Sequence, residues 1–383
     1  MALGALIAAL VAAAPAGASI VGWGYNHKGE LGAGFISKPH LPVEGPPALA
    51  GATQIVSTYF SSYALMPDGT VWSWGDGFFG ELGSGQRVRA QLTPVRVLGL
   101  AGVKQIAAGG AHVIALLSDG RVATWGGDYF GTLGIGTHGH GTPGFTISDV
   151  PLFPDVHGAV AVAAGGGDDA AVLSNGTVLA WGENAAGQLG DGTREEKDVP
   201  TPVLGATGVR SVAIGGVSSH AGHMLLLLAN GTVLAVGANV RGELGDGTTV
   251  GRVVPALVPG LFNVTAVSAS IDHSMALLTD GSVFAWGGDE VGQIGVAATA
   301  SCQKHGCVTR PVFTGASGSA IAAGRGYSLV VWHGEVLAFG LNQYLQLGQI
   351  GPARTRPTPV PGVSGATSVS AGEFHSLALG TVH

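Results

Sequence analysis

The amino-acid sequence predicts an all-β fold, a seven-bladed β-propeller built from four-stranded antiparallel blades. The first observation is a repeated motif in which an apolar marker residue precedes a glycine. The markers lie 50 to 56 residues apart and are Trp23, Trp74, Trp125, Trp181, Val236, Trp286 and Phe339. A repeat of this length is typical of folds in which each unit buries its apolar face against its neighbours. The second observation is the strand pattern inside each repeat, and the third is that the two chain ends complement each other.

The third repeat shows the strand pattern most clearly. Residues 103–109 alternate apolar and polar residues and predict a first strand, and the nearly all-apolar residues 112–117 predict a second strand covered on both faces. Residues 118–120 read Ser-Asp-Gly and predict a two-residue hairpin turn, in which glycine supplies the positive φ. Residues 121–126 are the predicted third strand.

The fourth strand of each repeat is expected to follow a proline, as after Pro94 and Pro202. Proline has no N–H to donate to a neighbouring strand, so this pattern predicts the outer edge of a blade.

The two chain ends predict a closed ring. Residues 367–372 and 375–379 have the pattern of the first two strands of a repeat, and residues 20–24 and the segment after Pro42 have the pattern of the last two. Pairing these segments would hide the strand edges that an open sheet exposes. An open solenoid is the alternative and would need atypical capping repeats. A single domain is therefore predicted over residues 19–383.

The composition limits the classes of partner. Charged residues make up 11% of the chain and glycine contributes 67 residues, which favours short, closely packed strands over a disordered chain. The formal net charge is −7, so no global basic field attracts a phosphate backbone. We expect no nucleic-acid partner.

Residues 1–18 form an uncharged apolar stretch that ends in Ala16-Gly17-Ala18, a pattern typical of a signal peptide and its cleavage site. A buried first helix and a membrane anchor are the alternatives, although Pro15 disfavours an unbroken spanning helix. A leader cleaved near Ala18 and Ser19 predicts a secreted or cell-surface protein with no membrane span after leader removal.

The chain has two cysteines, Cys302 and Cys307. In an exported protein this pair predicts a disulfide that closes a small surface loop. The alternative is half of a zinc site with His305, but the chain has no second cysteine pair to complete it.

Residues 181–192 read Trp-Gly-Glu-Asn-Ala-Ala-Gly-Gln-Leu-Gly-Asp-Gly, and Pro200-Thr-Pro-Val and Val209-Arg-Ser-Val-Ala-Ile-Gly follow. This repeat resembles that of the regulator of chromosome condensation family, and the resemblance covers residues 20–383. Members of that family form seven-bladed propellers, so the resemblance implies the same fold. Its founding members are guanine-nucleotide exchange factors for a small GTPase, which gives an alternative function. They act in the nucleus, and an export leader does not fit that setting.

Seven equivalent positions begin the second strands. They are Ser61, His112, Asp168, His223, His273, Tyr327 and His375. Four histidines and an aspartate suggest a metal centre, but a metal needs three or four ligands at one point and this ring spreads its members around a channel. We predict a structural role, in which these side chains bond to backbone groups freed at the preceding glycine turn. No metal or cofactor is expected.

No catalytic motif stands out. The chain has no nucleophile elbow, no phosphate-binding loop and no zinc-protease motif. The adjacent carboxylates Asp168 and Asp169 should point to opposite faces of a strand, so they cannot share acid–base work. The marker tryptophans should pack between blades, and the Gly-Glu/Gln-Leu-Gly elements should form tight turns with one buried leucine. We expect no enzymatic activity.

Functional signal is expected where repeats differ, because loops on a rigid frame carry specificity. The departures are the insertion 137–158, the charged cluster 194–198, the cysteine loop and aromatic residues after the marker motif. Aromatic clusters favour protein contact, with packing inside the turn as the alternative. The candidate partner-binding residues are Phe78, Phe79, Tyr129, Phe130, His140, Phe145, Phe153 and Tyr344. The predicted function is a monomeric, non-catalytic propeller that binds a protein through one face.

Three asparagines stand in formal glycosylation motifs, namely Asn175, Asn230 and Asn263. The first two also form predicted Asn-Gly hairpin turns, so the motif has a structural explanation there.

Overall fold

The computed structural model describes residues 18–136, 146–216, 222–302 and 305–383, and over these residues the chain forms a ring of seven antiparallel sheets. Blade 1 holds both chain ends, and strands are numbered from the inside outward. The strands are Val363–Ala371, His375–Val382, Ser19–Asn26 and Ser37–Glu44 in blade 1; Gln54–Ser57, Ser61–Leu65, Val71–Gly75 and Gln91–Arg96 in blade 2; Val103–Ala108, His112–Leu117, Val122–Asp128 and Thr146–Leu152 in blade 3; Ala159–Ala164, Asp168–Leu173, Val178–Gly182 and Lys197–Pro202 in blade 4; Val209–Gly215, His223–Leu228, Val233–Gly237 and Arg252–Leu257 in blade 5; Val264–Ala269, His273–Leu278, Ser282–Gly288 and His305–Ser317 in blade 6; and Ala320–Gly324, Tyr327–Trp332, Glu335–Gly340 and Arg354–Pro359 in blade 7.

Two small elements add to this pattern. Blade 6 has a fifth strand, Ala300–Cys302, which pairs with the start of its fourth strand. A short 3-10 helix, Pro47–Leu49, links blades 1 and 2.

The first strands of all seven blades line a central channel of about 390 Å³. The ring has two faces. The loop face carries the segments that join first to second strands and third to fourth strands. The turn face carries the second-to-third hairpins and the linkers between blades.

The predicted ring closure is confirmed. In blade 1 the N-terminal strand pairs antiparallel with the last strand of the chain, with Val21 opposite Ala378 and Trp23 opposite Ser376. The two chain ends thus share one four-stranded sheet, which excludes the open solenoid.

The marker residues form the core between blades, as predicted. All seven are fully buried. The five tryptophans each donate the indole N–H to a carbonyl in the loop of the preceding blade at 2.7–2.9 Å, as in Trp125 to Glu81. Val236 and Phe339 make no such bond, so the position requires an apolar side chain and not an indole. Burial of such a side chain stabilises the fold by roughly 1.5–3 kcal/mol. The leucines predicted to be buried in the tight turns are also buried, the first being Leu31 and the last Leu347.

The glycine after each marker is explained by close backbone approach. Gly126 has φ +109°, and a Cβ there would lie 2.4 Å from the carbonyl oxygen of Ala111. The same carbonyl accepts the N–H of Gly127 at 2.9 Å. Glycine is therefore required where the backbone of the third strand comes very close to the start of the second strand.

The expectation that the fourth strand follows a proline was wrong. Pro94 lies inside the strand Gln91–Arg96, and Pro202 ends the strand Lys197–Pro202. In blade 1 the strand Ser37–Glu44 contains Pro42 and begins before it. The edge position itself is confirmed, because the fourth strand is outermost in these blades and its outer N–H groups have no ladder partner to lose.

The two-residue hairpin turn was also wrong for blade 3. Gly120 has φ +81°, whereas Asp119 has no positive φ, and the N–H of Gly120 bonds to the carbonyl of Leu117 at 3.1 Å. This is the three-residue turn that ends in a left-handed glycine. Blade 7 has the tighter turn, since both His333 and Gly334 have positive φ and Trp332 pairs with Glu335.

The predicted leader lies almost wholly outside the described residues, which begin at Ala18. Among the residues described, no helix is long and apolar enough to cross a membrane.

Cys302 and Cys307 lie at disulfide-bonding distance across the extra hairpin of blade 6, with their Cα atoms 5.8 Å apart. Both side chains are buried, so the pair braces the hairpin from inside and is not displayed on the surface.

Candidate binding face

The ring of equivalent positions forms the joints between blades. Nε2 of His375 lies 2.9 Å from the hydroxyl of Ser62 in the next blade. That hydroxyl donates to the carbonyl of Glu30 at 2.8 Å, so it must accept from His375, whose Nε2 therefore carries the proton. His223 and His273 bond in the same way to Ser274 and Ser328, at 2.8 and 2.9 Å.

Two of these histidines, His375 and His223, are neutral structural groups. Burial lowers the pKa of His375 to about 3 and that of His223 to about 4. The sequence predicted this structural role. The predicted hydrogen-bond partner, a backbone group freed at the preceding glycine turn, was wrong for these histidines, because each bonds to a serine of the neighbouring blade. Across the part of the chain that the structure describes, no three His, Cys, Asp or Glu side chains could together hold a metal ion.

Asp168 and Asp169 have separate surroundings, as predicted. The carboxylate of Asp169 lies 3.1 Å from Nε2 of His112 in blade 3. Burial raises the pKa of Asp168, with further contributions from Glu183 and Asp169. Burial also raises the pKa of Asp169, against an opposing effect of His112. The two carboxyls thus do not act on one shared atom.

In every blade but blade 3, which has Thr132 at this position, a buried acid or amide fixes the loop after the third strand. The carboxylate of Glu81 accepts the N–H of Phe79 at 2.7 Å, and Gln188 accepts the N–H of Ala186 at 3.0 Å in the same position of blade 4. Burial raises the pKa of Glu81 to about 8. A neutral amide performs the same task, so this acid has a structural function.

Four half-buried aromatic side chains meet on the loop face where blades 7, 1 and 2 adjoin. This aromatic cluster consists of Tyr25, Phe60, Tyr344 and Phe374. The ring centroids of Tyr344 and Phe374 are 4.7 Å apart, and Tyr25 lies 5.6 Å from Tyr344 and 5.8 Å from Phe60. Edge and tilted contacts of this kind hold rings in place while leaving part of each exposed.

Three further aromatic residues form a second group on the loop face of blades 2 and 3. Phe79 contacts Phe78 at 4.9 Å and Tyr129 of the next blade at 5.5 Å, measured between ring centroids. Phe78 is 40% exposed, whereas Phe79 and Tyr129 are half-buried. Both sequence-based readings therefore apply: Phe78 is open to a partner, and the contact between Phe79 and Tyr129 packs two blades together.

The structure places the remaining candidates differently. Phe130 is half-buried beside the segment that joins the first and second strands of blade 4, since a Cβ on Gly167 would lie 2.9 Å from its ring. Phe153 is 48% exposed but lies on the turn face, with the guanidinium of Arg121 5.5 Å from its ring. His140 and Phe145 lie outside the described residues. Phe153 therefore cannot share a surface with Phe78 and Tyr344.

Sequence reasoning missed Tyr25, Phe60 and Phe374. A signal was present for two of them, because Phe60 and Phe374 directly precede the ring positions Ser61 and His375. The other blades have Ala111, Gly167, Gly222, Asp272 and Gly326 there.

The three glycosylation motifs all lie on the turn face. Asn175 and Asn230 each accept the N–H of the threonine two residues later at 3.0 Å, as the hairpin reading predicts. Asn263 has φ +56° in the linker before blade 6.

Several stretches of the chain match models of a known repeat family. The model of the regulator of chromosome condensation (RCC1) repeat matches residues 68–116, 175–226, 230–277 and 333–379, and a second RCC1 repeat model matches 103–132 and 264–293.

Two similar proteins are the E3 ubiquitin-protein ligase HERC2 of Homo sapiens, 33% identical over 65% of this chain, and the ultraviolet-B receptor UVR8 of Arabidopsis thaliana, 32% identical over 64%. These matches span 5% of HERC2 and 54% of UVR8.

Two solved structures share the fold. Prp20p from Saccharomyces cerevisiae superposes with a TM-score of 0.80 at 22% identity, covering 96% of this chain and 92% of that one. Human WBSCR16 superposes with a TM-score of 0.81 at 22% identity, covering 95% of this chain and 100% of that one.

Proposed function

Because this chain belongs to the regulator of chromosome condensation (RCC1) repeat family, we propose that it is a non-catalytic propeller that binds a partner protein through its loop face. The observation that carries the proposal is two groups of partly exposed aromatic side chains on this face, one over blades 7, 1 and 2 and the other over blades 2 and 3. Aromatic residues held on a rigid frame are typical anchors of protein interfaces, because they bury a large area at a small entropy cost.

The buried polar groups support a function without catalysis. The interblade histidines, Asp169 and the loop glutamates each have a hydrogen-bond partner that accounts for their burial. These titratable groups therefore hold blades and loops in place. Such groups would mark an active site if they lined an open cleft.

We also propose that the protein acts outside the cell, as the apolar residues 1–18 suggest. The Cys302–Cys307 pair suits an oxidising compartment. Since the first strand begins at Ser19, cleavage near Ala18 would leave every strand of blade 1 intact. Mass measurement of the protein recovered from the culture fluid tests this, and an uncleaved chain retained inside the cell contradicts it.

The exchange-factor alternative has a direct test. The structure of Prp20p was described together with the binding of that protein to Gsp1p and histones. We expect this chain not to accelerate the release of labelled nucleotide from Gsp1p. Acceleration comparable to that by Prp20p would replace the proposed function.

Affinity capture with matched variants tests the proposal itself. A loop-face variant carries Phe78→Ser and Tyr344→Ser, and a turn-face control carries Phe262→Ser and Trp332→Ser. The control residues are exposed by 58% and 40%. Immobilised wild-type protein and the control should retain the same proteins from a surface extract of the source cells, and the loop-face variant should lose them.

Melting temperatures of both variants within a few degrees of wild type are the folding control. Retention of every partner by the loop-face variant, or equal loss by the turn-face control, would contradict the proposal. Light scattering of the purified chain checks the expected monomer.

A further inference from the structure

Basic residues outnumber acidic residues on the loop face of blades 7, 1 and 2. The six that lie there form what we call the cationic arc, Lys28, Lys38, Arg87, Arg89, Arg325 and Arg354. The other acidic residues of these loops, besides the buried Glu30 and Glu81, are Asp76 and Glu373. The whole chain has a net charge of −7, so the local excess of positive charge at this arc is opposite in sign to that of the chain.

The acids of this region do not neutralise the arc. Nζ of Lys28 lies 3.5 Å from a carboxylate oxygen of Asp76, and Arg325 pairs with Glu373. Burial raises the pKa of Glu30 to about 7 and that of Glu81 to about 8, so near neutral pH Glu81 is mostly protonated and the negative charge of Glu30 is reduced. The remaining four basic side chains of the arc form no ion pair with any residue that the structure describes.

Two arginines of the arc stack on aromatic rings. The guanidinium of Arg89 lies 4.2 Å from the ring centroid of Phe78, and that of Arg325 lies 5.4 Å from the ring centroid of Phe374. Stacking restrains the flat guanidinium while its N–H edges stay available for carboxylate oxygens. Cation and apolar surface are thus presented side by side, without the full entropic cost of ordering a free arginine.

We propose that the cationic arc and the aromatic cluster together bind an acidic protein segment that also carries an aromatic or aliphatic side chain. This inference rests on the proposed function and names the chemistry of its partner. Carboxylates of the segment would pair with Arg87 and Arg89, and its apolar side chain would pack on the exposed parts of Phe78 and the cluster.

The same surface is less suited to nucleic acid or to an anionic membrane. The rings of the cluster contact one another through edges and tilted faces, so they offer no open platform on which bases could stack. Half-buried rings cannot insert into a bilayer.

A random 12-residue peptide display library selected against the immobilised full chain tests the inference without a known partner. The double variant Arg87→Glu/Arg89→Glu removes two exposed, unpaired cations of the arc. Arg121→Glu is the matched control on the turn face, where that side chain is half exposed and pairs with Asp119. The strongest peptide is then synthesised, and its affinity is measured by fluorescence anisotropy at low and high salt.

We expect enriched peptides to be acidic with at least one aromatic or aliphatic residue, and affinity to fall about tenfold or more in the Arg87/Arg89 variant but not in the control. Affinity should also fall as salt rises. Neutral or basic peptides, no enrichment at all, or equal binding to the double variant would overturn the inference.

Labelled oligothymidine and phosphatidylserine vesicles are the competing probes, and tighter arginine-dependent binding of either one would also overturn it. Capture of cellular partners that depends on Phe78 and Tyr344 but not on Arg87 and Arg89 would leave the proposed function standing while this inference fails.

Discussion

The indole N–H of Trp23 donates to the backbone carbonyl of Gln346 at 2.8 Å, across 323 residues of chain. Trp23 belongs to the first strand of the chain and Gln346 to the loop of blade 7, so this bond lies at the joint where the ring closes. The same bond occurs at four other joints, where it joins consecutive blades. The joint between blades 7 and 1 therefore uses the same bond as these other joints, and strand pairing inside blade 1 completes the ring.

Trp23→Phe should lower the free energy of unfolding by only about 1 to 2 kcal/mol, the loss of one hydrogen bond and part of the buried ring. The carbonyl of Gln346 keeps a partner, because Ser376 also donates to it at 3.0 Å. Phe339 fills the same position in blade 7. Denaturant titration gives the value, and Trp23→Ala, expected to cost about 3–5 kcal/mol, is the comparison. Equal losses in the two variants would show that the bond outweighs the packing.

Gly126→Ala should cost more than about 3 kcal/mol, because the new methyl group would meet the carbonyl of Ala111 at 2.4 Å and φ is +109°. Gly205→Ala is the matched control. Its φ is +67° and no atom lies within 4 Å of the added Cβ, so only the left-handed strain of about 1–2 kcal/mol applies. Thermal unfolding of both variants distinguishes contact from strain, and similar losses would refute the close-approach explanation.

Glu81→Gln should stabilise the protein at alkaline pH. Burial raises the pKa of Glu81 to about 8, above its ordinary value of 4.5, so the folded state keeps a proton that the unfolded state releases. Stability contributed by this group is thus complete below pH 4.5 and declines as pH rises towards 8. We expect the variant to exceed wild type on the order of 2 kcal/mol at pH 8.5 and to match it at pH 4.5. A pH-independent difference would mean that Glu81 is ionised in the fold.

His375→Gln tests the opposite pH dependence. Burial lowers the pKa of His375 to about 3, below its ordinary value of 6.5, so its contribution is complete above pH 6.5 and is lost as pH falls towards 3. The stability advantage of wild type over this variant should therefore shrink between pH 7.5 and pH 4.5, as followed by denaturant titration at each pH. His157→Gln, at a side chain with 75% exposure, should show no such trend.

Particular residues show why local patterns succeeded or failed. The strand His112–Leu117 follows from an unbroken apolar run, and the core position of Trp125 follows from its repetition. The start of the fourth strand was predicted at the wrong place, because a proline on an outer strand removes no ladder bond. Such a proline therefore indicates that a strand lies at the edge of a sheet, but not where that strand begins. The turn at Asp119 and Gly120 was misjudged because one glycine serves both turn types, and only the φ of the preceding residue separates them.

The sequence by itself determined the number of blades, the strands within them, the closure of the ring and the buried markers, because these depend on periodic contacts that every repeat reproduces. Only the tertiary structure decided which aromatic residues share a face, that Phe153 lies opposite Phe78, and that His375 bonds to Ser62. Those relationships join residues of different blades, and their geometry depends on how whole sheets pack against one another around the axis.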